Sequence, residues 1–197
     1  MSKSRERDRA AGRSKESVKK NSEVAKRKKS CIELCAGAGG QAIGLDQAGF
    51  LHDALVEIDD DCCRTLQLNR PDWPVVQADL KSFDGKQCRG IDLLAAGLPC
   101  PPFSSAGKLL GPADDRNLFP AALRLIREVE PRAVMIENVA GLLAPRFHAY
   151  WSAIKRELRK LGYFVSWRLM DGFHFNVPQK RRRLVIVALR RAFAKAF

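Results

Sequence analysis

Short apolar runs alternate with amphipathic stretches from residue 31 onward. The runs fall at Cys31 to Cys35, Ala54 to Ile58, Val75 to Ala78, Ile91 to Ala96, Ala133 to Ile136, Tyr163 to Leu169 and Leu184 to Leu189. Several are apolar at consecutive positions rather than at every second one, as strands buried on both faces of a parallel sheet require. The Val-Ile-Val of the last run fits that pattern. Between the runs, polar and apolar residues recur at helical spacing over Gln41 to Ala48, Asp60 to Asn69, Leu118 to Val129 and Phe147 to Leu161. Gly49, Pro71 and Gly162 follow three of these stretches and Pro131 separates the remaining one from its strand, where helices are expected to stop. The order predicts strands joined by helical crossovers, a doubly wound Rossmann-like α/β domain.

Residues 1 to 30 have a different texture. They contain no aromatic residue and, after Met1, only Val18 and Val24 as larger apolar side chains, so they cannot offset the entropy of ordering. The expected organisation is a disordered basic arm over 1–30 and one domain over 31–197. Charge sharpens this division. The chain of 197 residues carries 35 Lys and Arg against 22 Asp and Glu, a net +13. The arm holds +8 of it and the last twenty residues +7, which leaves a body of −2. A near-neutral body with basic ends is the layout of a partner to a polyanion, or of a chain kept soluble by charge. No apolar run reaches the roughly 18 residues of a membrane span and the N-terminus has no signal-peptide core, so a cytoplasmic protein is expected. The six cysteines show neither a Cys-x-x-Cys pair nor zinc spacing with His. Free thiols and no metal site are expected.

Four segments carry candidate chemistry. The first run opens into Ala36-Gly37-Ala38-Gly39-Gly40-Gln41-Ala42, glycines placed where a chain turns tightly and admits a ligand to its backbone. Glu57, at the end of the second run, is placed to accept ribose hydroxyls. Both NAD and S-adenosylmethionine would be served. Asp79 ends the third run and suits an adenine amino group, or a turn cap. The second segment, Gly97-Leu98-Pro99-Cys100-Pro101-Pro102-Phe103-Ser104, follows a buried run, and its three prolines fix the backbone around one cysteine. The third, Val134-Met135-Ile136-Glu137-Asn138-Val139, ends an apolar strand in a carboxyl that desolvation would keep protonated, or that backbone amides would satisfy. In the fourth, Val177-Pro178-Gln179-Lys180-Arg181-Arg182-Arg183-Leu184, alternation puts Arg181 and Arg183 on one side, to hold phosphate or to steer a carboxylate.

Taken in order, Glu33 to Gly40, Glu57, Asp79, the Pro99-Cys100 loop, Asn117-Leu118-Phe119, Glu137-Asn138-Val139 and Gln179-x-Arg181-x-Arg183 resemble the catalytic half of the C5-cytosine DNA methyltransferases. The resemblance implies S-adenosylmethionine as cofactor, with Gly37 and Gly39 approaching it, Glu57 on its ribose, Asp79 on its adenine and Leu118 packed against it. It implies Cys100 as the nucleophile on cytosine C6, Glu137 at N3, and Arg181 and Arg183 orienting base and catalytic groups. Cys35 stands where the family usually has Phe in the cofactor pocket, and Pro101 where Gln is common. The sequence stops fourteen residues after Arg183, before the family's target-recognition region and final cofactor-pocket motif. The expectation is a nucleoid-associated DNA methyltransferase with a restriction-modification or an epigenetic role, whose target recognition comes from a second chain or was lost by truncation. The alternatives are an inactive DNA-binding remnant and a tRNA cytosine methyltransferase. A nicotinamide-dependent oxidoreductase would share the glycines and Glu57 but leaves Pro99-Cys100 and Glu137 unexplained.

Overall fold

A computed structural model describes residues 28–100, 103 and 111–194. The basic arm expected over 1–30 lies outside the described residues as far as residue 27. Seven strands form a single sheet in the order β3-β2-β1-β4-β5-β7-β6. They are β1 (Lys29–Leu34), β2 (Phe50–Glu57), β3 (Val75–Gln77), β4 (Leu93–Gly97), β5 (Ala133–Val139), β6 (Tyr163–Asp171) and β7 (Arg182–Arg190). Four helices connect them: α1 (Gly40–Gln47), α2 (Asp60–Asn69), α3 (Phe119–Val129) and α4 (His148–Lys160). Each apolar run and each amphipathic stretch corresponds to one of these elements, and the fold is the expected doubly wound Rossmann-like one. β1 opens at Lys29, two residues before the apolar texture begins.

Local chemistry sets the helix limits. Asp59 caps α2, its carboxylate accepting from Cys62 N at 2.8 Å, and Asp60 and Asp61 lie in the first turn where the helix dipole favours them. α3 carries Pro120 in its first turn, buries Phe119, Ala122, Leu125, Ile126 and Val129 along one stripe, and ends at Glu130 in the left-handed region before Pro131. Trp151, Ile154 and Leu158 make the equivalent stripe of α4.

α3 and α4 pack on one face of the sheet over Ile32, Leu34, Leu94, Ala96, Val134, Ile136, Leu184 and Ile186, which are all fully buried. α1 and α2 cover the opposite face only at its β1–β2 side, against Cys31, Leu55 and Ala95. Over β5, β7 and β6 that second face has no helix among the described residues. Burial there alternates with period two, so Met135, Val185, Val187 and Leu189 are half-exposed and Phe164 is 51% exposed.

One expectation needs correction. β7, whose Val-Ile-Val suggested another parallel strand, runs antiparallel to both β5 and β6. Only residues 172–181 join it to β6, too few for the helical crossover a parallel pair requires. No helix among the described residues is long and apolar enough to cross a membrane.

Candidate active site

The parallel strands β1, β2, β4 and β5 end at one edge of the sheet, and the antiparallel β7 begins there, with Arg183 paired to Val139. The turn after β1 is held by left-handed backbone at Cys35 (φ 57°), Gly37 (φ 54°) and Gly39 (φ 92°). At Gly39 a Cβ would also stand 2.6 Å from Leu66 Cδ2, so both conformation and close helix packing demand glycine. Glu57 fixes this turn from the neighbouring strand. Its Oε2 accepts from Gly37 N at 2.7 Å, and its Oε1 accepts from Ile58 N at 2.8 Å and Asp59 N at 2.9 Å. The carboxylate is 8% exposed and lines a cavity of about 300 Å³ together with Cys35, Val56, Asp79, Pro99 and Leu118. Asp79 serves partly as a cap, with Oδ1 accepting from Lys81 N at 2.8 Å, while lining that same cavity. The Cys35 thiol is pushed up to about 12, first by burial and then by Glu57, Asp79 and Glu33. It is an uncharged lining group.

A second cavity, of about 450 Å³, adjoins the first across Cys35 and is lined by Glu33, Gln41, Met135, Glu137 and Arg181. Glu33 is 1% exposed, neither of its carboxyl oxygens has a hydrogen-bond partner, and burial pushes it up to about 8. Gln41 Nε2 is also without a hydrogen-bond partner.

Cys100 follows β4, one residue after Pro99 of the smaller cavity. Its thiol donates to Leu98 O across 3.8 Å, and its own carbonyl accepts from Phe103 N at 3.0 Å, closing a tight turn. Burial, followed by the negative charge of Glu137, pushes the thiol up; Arg183, the Val139 amide and Arg181 oppose this. The expected desolvated Glu137 is not what the structure shows. Its side chain is 31% exposed and ion-paired, with Oε1 at 2.7 Å from Arg183 Nε, a close charge pair that lacks hydrogen-bond alignment. The pair forms because β5 and β7 are neighbours, placing Arg183 diagonally across from Glu137. Arg181, just before β7, lines the cavity beside Glu137.

Two further groups hold the turn that carries Cys100, and sequence reasoning gave neither a role. Asn138, fully buried, sends Nδ2 to Leu98 O at 3.4 Å while Oδ1 accepts from Val139 N at 2.9 Å, tying β5 to the turn that carries Cys100. Tyr150 on α4 bonds through its hydroxyl to Asn117 Nδ2 at 2.7 Å and stacks on Phe103 with ring centroids 5.6 Å apart. It thereby joins the Asn117-Leu118 side of the smaller cavity to the Cys100 turn. Gly141 passes so close that a Cβ would lie 2.1 Å from Phe103 O. A polar residue inside an apolar strand end was the available signal for Asn138. Contacts across 33 positions left none for Tyr150.

A cysteine thiol beside a carboxylate–arginine pair, one residue after Pro99 of the glycine-turn cavity, fits what comparison with known proteins finds. The model of the C-5 cytosine-specific DNA methylase family matches residues 29–196. The chain belongs to this family. It is 52% identical over 166 residues to the type II methyltransferase M.NgoMIV of Neisseria gonorrhoeae, covering 84% of this chain and 53% of that protein. It is 46% identical over 169 residues to M.NaeI of Lentzea aerocolonigenes, covering 84% and 41%. The chain thus spans about half the length of these curated relatives. Among solved structures, Spodoptera frugiperda DNMT2 superposes with a TM-score of 0.69 at 21% identity, over 84% of this chain and 51% of that one, which shows the shared fold.

Proposed function

We propose that this chain is the catalytic part of an S-adenosylmethionine-dependent C5-cytosine DNA methyltransferase. The observation that carries it is the convergence of Cys100, the Glu137–Arg183 pair and the Glu57-lined cavity at one sheet edge. The smaller cavity fits the cofactor's adenosine: Glu57 Oε2 and Asp79 supply acceptors at its polar side, and Val56, Pro99 and Leu118 supply an apolar wall. Bound there, S-adenosylmethionine supplies an electrophilic methyl group.

The chain's own residues supply the rest. Cytosine C5 is a poor nucleophile until a sulfur adds to C6, and Cys100 provides that sulfur as a thiolate. Glu137, having taken up a proton from solvent, donates it to N3 and so neutralises the negative charge that the added sulfur places on the ring; the proton returns when the adduct collapses. Arg183 holds the Glu137 carboxylate in place, and Arg181 stands beside it to orient the base. When C5 has been methylated and has lost its proton, the C6–S bond breaks and the electron pair returns to Cys100. The target base must leave the helix to reach this site.

A complementing polypeptide segment is part of this proposal. The half-exposed apolar row Met135, Val185, Val187 and Leu189 and the partnerless Glu33 carboxyl lie on one sheet face, the pattern of a surface built to be covered. Target recognition is assigned to that segment, and DNA to the assembled cleft. The test is a duplex carrying 5-fluorocytosine at candidate sites, incubated with S-adenosylmethionine and the chain, alone and with its complement. A covalent adduct at Cys100 that vanishes in Cys100→Ala supports the proposal. Absence of adduct in both mixtures, with cofactor bound, refutes it.

A further inference from the structure

The connection between β6 and β7, residues 172–181, projects from the same sheet edge as Cys100 and Glu137. It is a stiff loop. Asp171 Oδ1 accepts from Phe173 N at 3.3 Å and from Arg181 N at 3.0 Å; Gly172 N donates to Arg181 O at 3.0 Å, and Val177 N to Gly172 O at 3.3 Å. Asn176 turns the chain in the left-handed region, φ 60°. On this frame Phe173 is 61% exposed and Phe175 57%, with Val177 beside them at 43%. Two benzyl groups held out into water by a hydrogen-bonded loop gain nothing for the isolated chain.

The charges around them indicate what covers them. From residue 163 to 194 the sole acidic residue is Asp171, and its Oδ1 is committed to loop amides. The same stretch carries seven Lys and Arg, of which Lys180, Arg181 and Arg182 are exposed at the returning end of the same connection. The buried centre of a protein interface is depleted of such charge. Aromatic faces interleaved with cations are instead the chemistry of nucleic-acid strands with exposed bases. A ring gains from a base only when one face of that base is free, which excludes the interior of an intact duplex.

We propose that the Phe173–Val177 loop is a stacking platform for unpaired nucleotides beside the active site, with Lys180 and Arg182 on the flanking phosphates. This rests on the reading of the chain as DNA-directed and names the contact that would hold a strand opened around its target.

The test uses the full chain and fluorescence anisotropy on one oligonucleotide sequence, single-stranded and fully paired. Phe173→Ala combined with Phe175→Ala is expected to lower single-strand affinity at least about tenfold, with duplex affinity within about twofold and an unchanged salt slope. Lys180→Ala combined with Arg182→Ala is expected to weaken both and to reduce the duplex log–log salt slope by about 2. Phe173→Trp retains a stacking face and is expected to keep wild-type binding, which separates stacking from damage to the loop. Undiminished single-strand binding by the double Phe variant overturns the proposal, as does equal loss on both substrates. So does intact DNA binding with lost association to a complementing polypeptide, which would make the loop a protein-docking surface. Adduct formation on 5-fluorocytosine reports the methyltransferase reading separately, so a chain that stacks bases but forms no adduct sinks only the latter.

Discussion

Glu57→Gln tests whether this carboxylate organises the glycine turn in addition to the cofactor contact proposed for it. Its two oxygens receive three backbone amides, from Gly37, Ile58 and Asp59, so it organises the glycine turn before any ligand arrives. Glutamine retains one carbonyl oxygen, able to serve Ile58 N and Asp59 N from the Oε1 position. Its amide nitrogen must then face Gly37 N–H across a 2.7 Å gap, donor against donor. One charge-assisted hydrogen bond is lost and the Gly37 amide is stranded, a single event costing about 2–3 kcal/mol. In a domain of this size that lowers the thermal midpoint by about 4–12 °C. Scanning calorimetry without ligand reads the stability loss directly. Titration calorimetry with S-adenosylmethionine reads a further weakening of about 1–3 kcal/mol. A midpoint unchanged within about 1 °C would show that the turn stands without Glu57 and refute the reasoning, whatever happens to cofactor affinity.

Glu137→Gln removes the charge that, after burial, most raises the Cys100 thiol, so iodoacetamide alkylation of Cys100 at fixed pH should quicken while methyl transfer is lost; slower or unchanged alkylation would contradict the electrostatics. Glu33, raised from 4.5 to about 8, binds a proton in the folded state that the unfolded chain has released, so stability should decline as pH rises from about 4.5 to 8, by no more than about 5 kcal/mol. Urea denaturation across that window should show a flatter profile for Glu33→Gln, and superimposable profiles would rule the group out. Gly141→Ala places a methyl carbon 2.1 Å from the Phe103 carbonyl oxygen and must shift the Cys100 turn, so methyl transfer should fall at least about 100-fold. Cofactor affinity should stay within about threefold, because Gly141 does not line the smaller cavity; comparable losses in both would point to general collapse.

Strand positions were legible because a sheet buried from above and below forces runs such as Leu93 to Ala96 to be apolar at every position. The direction of β7 was not legible: the apolar runs Tyr163 to Leu169 and Leu184 to Leu189 leave fourteen residues between them, and only the longer strands of the structure cut the connection to residues 172–181. In a strand covered on one face only, Ile186 is buried while Val185 and Val187 are not, and hydrophobicity alone does not report the difference. Among site residues, Cys100, Glu137, Arg181 and Arg183 do meet, since each ends or begins a strand at the same edge. The state of Glu137 was not legible. A carboxyl that closes an apolar strand looks desolvated in one dimension, and the antiparallel register that brings Arg183 to it exists only in three. Glu33 gave a partial signal, a charge inside Cys31 to Cys35, whose meaning depends on which sheet face carries a helix.

The arrangement around Cys100 also explains how a nucleophile can be kept quiet until needed. In the free chain the thiol is held up by burial and by Glu137, and it donates to Leu98 O. A solvent-accessible thiolate would be alkylated or oxidised between turnovers, whereas a thiol is neither readily. In the proposed reaction, a Glu137 that has bound a proton and donates it to cytosine N3 no longer carries the charge that opposes ionisation, leaving Arg183 and Arg181 as the dominant charges, and these favour the thiolate. On the proposed mechanism, the base activates the sulfur that attacks it. Arg183 serves both stages, pairing with Glu137 before the base arrives and stabilising Cys100 afterwards. A lysine there would supply the charge but not the planar group set beside Oε1, so the two stages would not be linked through one side chain.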